Sequence, residues 1–310
     1  AWRTDAGFYR LIPKIVIRAK DENEVSRLLA LADKYTLPVT FRAAGTSLSG
    51  QSISDSILIV AGKNWEKYSI SEDFERITLQ PGIIGARVNE ILKPHGRKFA
   101  PDPASVKSAM VGGIVMNNAS GMNCGTHANS DKELLSAKIV LADGTRLNTG
   151  DPESRMTFEK NHTPFLNKII EIRDEIRNDN ELSDRIRKKY SIKNVTGLNL
   201  LPFVIYDDPF DIIAHLMVGS EGTLAFLSEV TMKTEHDYPY SASAMLYFSN
   251  IKEACRAVVA MKPGPVFSAE LLDKKSLASV NDTTGTGLTA VLTETKADTP
   301  EELQLSLIHI

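Results

Sequence analysis

The residues best suited to chemistry lie in Phe41–Gln51, FRAAGTSLSGQ, where Gly45 and Gly50 bracket Thr46, Ser47 and Ser49 just after a β-like run at 39–41. Glycine permits φ > 0 and close backbone approach, so successive amides of such a loop can turn inward around an anion with three hydroxyls beside them. The spacing matches neither common phosphate fingerprint: no Lys follows Gly50, and the glycines do not fall as G-x-G-x-x-G. The apolar run at 57–60 reads as a strand, so loop amides would hold a phosphate here with no helix dipole behind them. A serine-rich turn between two strands is the alternative reading of the same residues.

Two more glycine-rich, charge-poor stretches follow. Residues 101–126 read PDPASVKSAMVGGIVMNNASGMNCGT, in which the small residues Gly112, Gly113, Ala119, Ser120, Gly121 and Gly125 leave room for something flat to lie against the backbone. A glycine-rich helix-packing turn would look similar. The third stretch is Gly219-Ser220-Glu221-Gly222-Thr223. Neither Ser47 nor Ser220 sits in G-x-S-x-G, and no His/Asp pair is placed to argue a catalytic triad. His95, His127, His162, His215 and His236 lack metal-ligand spacing and read as surface or internally satisfied residues, so no metal site is expected. Separate turns could produce three such stretches. Together they suit one long ligand with an anionic middle and flat ends, the shape of a flavin adenine dinucleotide.

The elements around these loops are legible from periodicity. A β-like run at 14–19 is followed by Asp21, whose spacing to Glu24 makes a capping box, and by Val25, Leu28, Leu29 and Ala32 at helical intervals. Strand, helix, strand and glycine loop therefore form one βαβ unit over 14–51, with the loop at the carboxyl end of its second strand, where open α/β sheets place ligands. Residues 76–79 read as a strand, 88–92 as a short helix, 136–141 and 145–147 as a hairpin about Ala142-Asp143-Gly144, and 165–189 as helical. The basic cluster Arg185, Arg187, Lys188 and Lys189 reads as a solvated helix face. A short apolar helix at 211–218 leads to a strand at 224–234, and the pattern restarts near 240.

Length and composition bound these readings. With 310 residues, 42% hydrophobic and 24% charged, the chain can bury cores for roughly two packed units. A net charge of −3 gives no drive towards nucleic acid. Two cysteines, Cys124 and Cys255, suit a reducing compartment, and no apolar run reaches the roughly 18 residues of a membrane span. The expectation is a cytoplasmic protein. Leu305–Ile310, LSLIHI, which includes His309, is expected to be a non-native tail.

The ordered set FRAAGTSLSGQ, LQPG, PDPAS, GGIVMNNASGMNCGT and GSEGTLAFLSEVT resembles the FAD-binding domain of the vanillyl-alcohol-oxidase and p-cresol-methylhydroxylase (PCMH) type. TDAGFY and IRKKYSIKNVTGLN resemble its FAD-linked D-2-hydroxy-acid dehydrogenase subgroup, which carries an iron–sulfur region. The resemblance implies an α+β, two-subdomain FAD-binding fold over 1–236 with a subdomain boundary near 62, then the start of an α+β substrate (cap) domain over 240–304. It implies a pyrophosphate loop of Arg42, Ala43, Ala44, Gly45, Thr46, Ser47, Leu48, Ser49, Gly50 and Gln51, continued by Pro81 and Gly82. Pro101, Asp102 and Ser105 would approach the flavin. Gly112, Gly113, Asn117, Ala119, Ser120, Gly121, Gly125 and Thr126 would wall the ring and ribityl chain, and Glu221, Gly222 and Leu224 would close the adenosine or flavin edge. Thr46 stands where covalent members often carry His, which implies non-covalent FAD. Asn123, Asp131 and Ala225 depart from the residues usual at their positions.

The implied reaction is oxidation of a D-2-hydroxy acid, D-lactate or D-2-hydroxyglutarate, to the 2-oxo acid, its C2 hydride passing to the flavin. Electrons would leave through an iron–sulfur cluster beyond residue 310 to a quinone, cytochrome or flavoprotein, placing the protein in the cytoplasm or peripherally at the inner membrane. No residue here is expected to be the catalytic base. A sugar or aldonolactone oxidase of the same superfamily and a non-catalytic FAD-binding fragment are the alternatives.

Overall fold

A computed structural model describes residues 2–125, 127–262, 264–280 and 288–308. The chain divides into two compact units, Ala1–Glu235 and His236–Ile310.

The first unit begins with a three-stranded parallel sheet and the helix Glu22–Lys34. Asp21 caps that helix by accepting from the Glu24 amide at 2.9 Å, and Glu24 Oε2 accepts from the Lys20 amide at 2.6 Å. The first bond satisfies one of the orphan amides of the first turn, and the second ties the residue before the cap to that turn. The strands run in the order Ile15–Arg18, Ile57–Val60, Val39–Arg42. The strands of the expected βαβ unit are therefore not neighbours, because Ile57–Val60 pairs with both. Its continuous ILIV run suits that central place, where both faces of a parallel strand are covered. Leu58 and Ile59 have no exposed surface.

The larger sheet is antiparallel, with the order Tyr68–Ile70, Arg76–Leu79, Ala225–Lys233, Leu134–Leu141, Arg146–Asn148. Its last two strands form the hairpin expected from Asp143-Gly144, and Gly144 has φ +87°. That turn docks on the first helix: Ser26 Oγ donates to the Gly144 carbonyl at 2.6 Å. A side chain at 144 would start 2.4 Å from the Ser26 carbonyl. Ile77, Leu79, Ile139 and Met232 of this sheet share one apolar core with Phe158, Ile176 and Ile212 of the helices.

Those helices begin earlier than the apolar spacing suggests. Pro152–Asn178 starts beneath Asp151, which accepts from the Glu153 and Ser154 amides, and it bends where His162 leaves helical geometry two residues before Pro164. A proline ring clashes with the preceding turn and removes a helix donor, which accounts for the bend. The expected stretch 165–189 is broken at Asp179, whose carboxylate caps the next helix, Asn180–Lys189, by accepting from Leu182 at 2.9 Å. Arg185, Arg187, Lys188 and Lys189 are exposed.

The second unit is an antiparallel sheet in the order Tyr240–Phe248, Thr289–Ala297, Ser268–Leu272. The helices Ile251–Met261, Lys274–Ser279 and Pro300–Ile308 accompany it. Among the described residues no helix is long and apolar enough to cross a membrane, and no group of three metal-binding side chains occurs. His309 lies outside the described residues.

Candidate cofactor site

The glycine loop, the short helix Val111–Met116 and the turn at 219–222 meet around one cavity of the first unit, with about 940 Å³ of empty space, part of it open to solvent. Arg42 to Ser47 and Gln51 line it, as do Pro81, Ser105, Gly112, Gly113, Asn117, Ala119, Glu221 and Gly222.

Gly45 (φ +74°) and Gly50 (φ +83°) supply the left-handed backbone the loop needs. A Cβ on Gly45 would lie 2.3 Å from Arg42 Nη2, so the guanidinium packs on the loop it precedes. Arg42 Nη1 donates to the Thr4 carbonyl at 2.9 Å and to the Ser52 carbonyl at 3.3 Å, while its buried Nε has no partner among the described residues. Burial pulls the Arg42 pKa down and Asp5 pushes it up, leaving it lowered from its ordinary value.

The adjacent glycines of the helix do different work. Gly112 donates to the Pro81 carbonyl at 3.0 Å, and a Cβ there would sit 2.6 Å from Pro81 Cβ. A Cβ on Gly113 would meet only Ala43 Cβ, at 4.0 Å across the cavity. Opposite them, Glu221 holds a positive φ of +54°, donates its amide to the Met116 carbonyl at 2.7 Å and accepts from Asn117 Nδ2 at 3.2 Å. A non-glycine residue in that region costs energy and persists only when its surroundings fix it.

Other expected residues stand behind the wall. Leu48 is exposed, and the Ser49 amide donates to Gln51 Oε1 at 3.2 Å. Gly50 donates to Asp5 Oδ2 at 2.9 Å. Gly82 abuts the Gly62 carbonyl, where a Cβ would come to 2.4 Å. Pro101 is buried, and Asp102 lies against Gly121, where a Cβ would be 2.0 Å from the Asp102 carbonyl. The smallness of Gly112, Gly82 and Gly121 is thus spent on contacts between chain segments. Lys193 Nζ binds the Ser120 and Gly121 carbonyls at 3.1 and 3.2 Å. Gly125 has φ +49°, Leu224 packs on the core, and Thr126 lies outside the described residues.

Sequence reasoning missed the apolar half of the wall, which includes Phe41, Ala61, Met110, Phe226 and Leu227. Phe41 and Phe226 stand 5.2 Å apart between ring centroids, with Trp65 5.0 Å from Phe226. The available signal was their position, Phe41 at the end of the strand before the loop and Phe226 just after the Gly222 turn. Among the described residues lining the cavity, Arg42 and Glu221 are the ionisable ones. The site can therefore bind an anion and an apolar plane, and it carries little acid–base equipment of its own.

The family model described as an FAD binding domain matches residues 13–150, which contain the loop, Pro81 and the glycine helix. Residues 13–150 thus form an FAD-binding domain of the PCMH type. Over 292 residues it is 25% identical to the D-2-hydroxyglutarate dehydrogenase of Haemophilus influenzae, covering 88% of this chain and 28% of that one. To the glycolate oxidase subunit GlcD of Escherichia coli K12 it is 25% identical over 279 residues, covering 88% and 45%. The chain thus spans less than half the length of either relative. The solved alkyldihydroxyacetonephosphate synthase shares the fold, with a TM-score of 0.62 over 96% of this chain and 50% of that one, at 16% identity.

The cavity of the FAD-binding domain fits the dinucleotide by its own chemistry. The buried, unpartnered Arg42 Nε suits an anionic middle, and the open face of Gly113 with the apolar lining suits a flat ring.

His215, Asp131 and Glu133 are buried outside the cavity. His215, as expected of a satisfied histidine, donates from Nδ1 to the Asp211 carbonyl (2.8 Å) and accepts at Nε2 from Tyr206 (3.0 Å). Burial holds its pKa below the ordinary value despite the Asp211 carbonyl. Asp131 is buried against Asn118, whose Nδ2 donates to it at 3.3 Å. Burial, with the Glu235 carboxylate nearby, pushes Glu133 up to about 7.

Proposed function

We propose that this chain is the cofactor-holding part of an FAD-dependent oxidoreductase that oxidises a 2-hydroxy acid, D-lactate or D-2-hydroxyglutarate, to the 2-oxo acid. The observation that carries the reading is the single cavity onto which the glycine loop, the 111–116 helix and the 219–222 turn converge. The names of the relatives supply the substrate class.

When bound, FAD supplies a two-electron acceptor for the C2 hydride. The chain's own residues bind, orient and dehydrate. Arg42 and the amides of 43–46 would hold the negative charge of the pyrophosphate. Gly113 leaves the ring its space, and Phe41, Phe226 and Leu227 keep water from that part of the site. Glu221 and Asn117, bonded to each other, fix the rim. With Thr46 in the loop, the cofactor is held without a covalent bond. We assign residues 1–236 to cofactor binding and 240–304 to the start of a substrate cap, and we assign no catalytic base. Onward transfer runs through an iron–sulfur region to a quinone, cytochrome or flavoprotein, in the cytoplasm or at the inner-membrane surface.

Purified chain titrated with FAD should quench flavin fluorescence and show the flavin band at about 450 nm. Acid precipitation should release all of the flavin into the supernatant. The protein from the whole gene should be bleached anaerobically by D-lactate or D-2-hydroxyglutarate and not by aldonolactones. Absence of flavin binding would sink the reading, and bleaching by aldonolactones alone would reassign the substrate.

A further inference from the structure

The loop's outward donors are already taken by an anion of the chain itself. Asp5 lies 42 residues before Ser47, yet its Oδ2 accepts from Ser47 Oγ at 2.9 Å and from the Gly50 amide at 2.9 Å, and its Oδ1 accepts from the Gly7 amide at 2.8 Å. The segment around it is bound to the same loop. The Ala6 amide donates to the Ser47 carbonyl at 3.0 Å, and Arg42 Nη1 donates to the Thr4 carbonyl at 2.9 Å. The Arg42 guanidinium carbon lies 5.5 Å from the centre of the Trp2 ring. Gly7 passes so close that a Cβ would lie 2.3 Å from the Leu48 carbonyl. Apart from these contacts residues 3–12 are largely exposed, so the segment is attached chiefly through the loop.

Ser47 Oγ and the Gly50 amide are among the donors an incoming phosphate would otherwise attract, and they face Asp5 instead. A loop with two left-handed glycines has many conformations of similar energy unless something selects one. A carboxylate bonded to both ends of 47–50 does so, because bonds to a charged acceptor are about twice as strong as neutral ones. We propose that Asp5 is a positioning residue for the cofactor: its carboxylate clasps Ser47 and Gly50, which fixes the loop so that the amides of 43–46 face the cavity before FAD arrives. The proposal rests on the FAD reading of the cavity and adds a residue outside the matched domain, residues 13–150.

The test uses the 310-residue chain and FAD itself. The dissociation constant is read from flavin fluorescence quenching, and the unfolding midpoint is read on cofactor-free protein, for wild type, Asp5→Ala and Asp5→Asn. Asp5→Ala should weaken FAD binding by at least about tenfold, equivalent to 1.4 kcal/mol. Its cofactor-free midpoint should stay near the wild-type value, because the segment is exposed. Asp5→Asn, which keeps the shape but replaces one acceptor by an amide donor, should also lose affinity, and formate should restore part of the affinity lost in Asp5→Ala. Equal FAD affinity in wild type and both variants overturns the proposal. So does a loss of affinity that only tracks a falling cofactor-free midpoint, since Asp5 would then serve folding alone. Failure of the wild type to bind FAD is a distinguishable outcome that overturns the FAD reading and this proposal with it.

Discussion

Gly112 and Gly113 are neighbours in sequence and helix, and the structure gives them opposite roles that two substitutions can separate. In Gly112→Ala the new methyl would lie 2.6 Å from Pro81 Cβ, 3.2 Å from the Pro81 carbonyl oxygen and 3.3 Å from its Cα. None of these atoms belongs to a flexible side chain, so either the helix or the 80–83 turn must shift. Overpacking of this kind costs about 1–3 kcal/mol, against which alanine recovers up to about 1 kcal/mol of helix propensity. The net loss is about 1–2 kcal/mol. For a unit of this size that corresponds to a fall of about 2–8 °C in the cofactor-free unfolding midpoint. In Gly113→Ala the methyl meets only Ala43 Cβ at 4.0 Å, so the cofactor-free protein should be as stable as wild type or slightly more so. Gly113→Leu extends the side chain into the space assigned to the ring, and the same overpacking range then falls on binding, weakening FAD about 5- to 150-fold. Scanning calorimetry of the apoproteins and flavin fluorescence titration would measure both effects. A Gly113→Leu variant that binds FAD like wild type, together with an unshifted midpoint in Gly112→Ala, would refute the assignment of these two faces.

Three further outcomes are expected. Glu133 binds its proton at about 7 in the folded chain, against about 4.5 when unfolded, so the folded state holds more protons in that interval and stability falls as pH rises from 4.5 to 7. Glu133→Gln should therefore raise the unfolding midpoint above pH 7 and lose that advantage near pH 4; an equal gain at both pH values would contradict the burial argument. His215 is shifted the other way: the unfolded chain takes up its proton first as pH drops below 6.5, so stability falls on acidification through that point, and thermal scans of His215→Gln should show a flatter dependence there. In Gly121→Ala the added methyl would lie 2.0 Å from the Asp102 carbonyl oxygen, forcing two backbone segments apart, so the midpoint should fall by more than in Gly112→Ala.

What could be read in advance separates by the distance over which each feature is decided. The Asp21–Glu24 cap, the Asp143-Gly144 turn and the proline bend near His162 are settled within a few residues, and propensity with turn chemistry is enough to find the first two. Placing the ILIV run between the two strands of the βαβ unit depends on which partners fold against it, and a uniformly apolar run does not record them. The same holds inside the site. Gly112 and Gly113 look alike in the sequence, and only Pro81, brought in from some thirty residues earlier, decides that one glycine is filled by protein and the other is left for ligand.

Asp5 extends that logic to charge. In the sequence Asp5 is one acidic residue of TDAGFY, and nothing there marks its partners. The fold sets it against a hydroxyl and two amides. Burial alone would raise its pKa, and the Gly7 amide, the Ser47 hydroxyl and the Gly50 amide together hold it below the ordinary carboxylate value instead. A depressed folded pKa means that the ionised form is the one the loop stabilises, and by linkage the ionised form stabilises the loop in return. If the loop were already rigid, removing that charge would cost stability and leave FAD affinity alone. A loop held by the carboxylate should instead lose affinity while the core of the first unit melts as before, because Asp5 touches the loop and the core lies under the strands behind it.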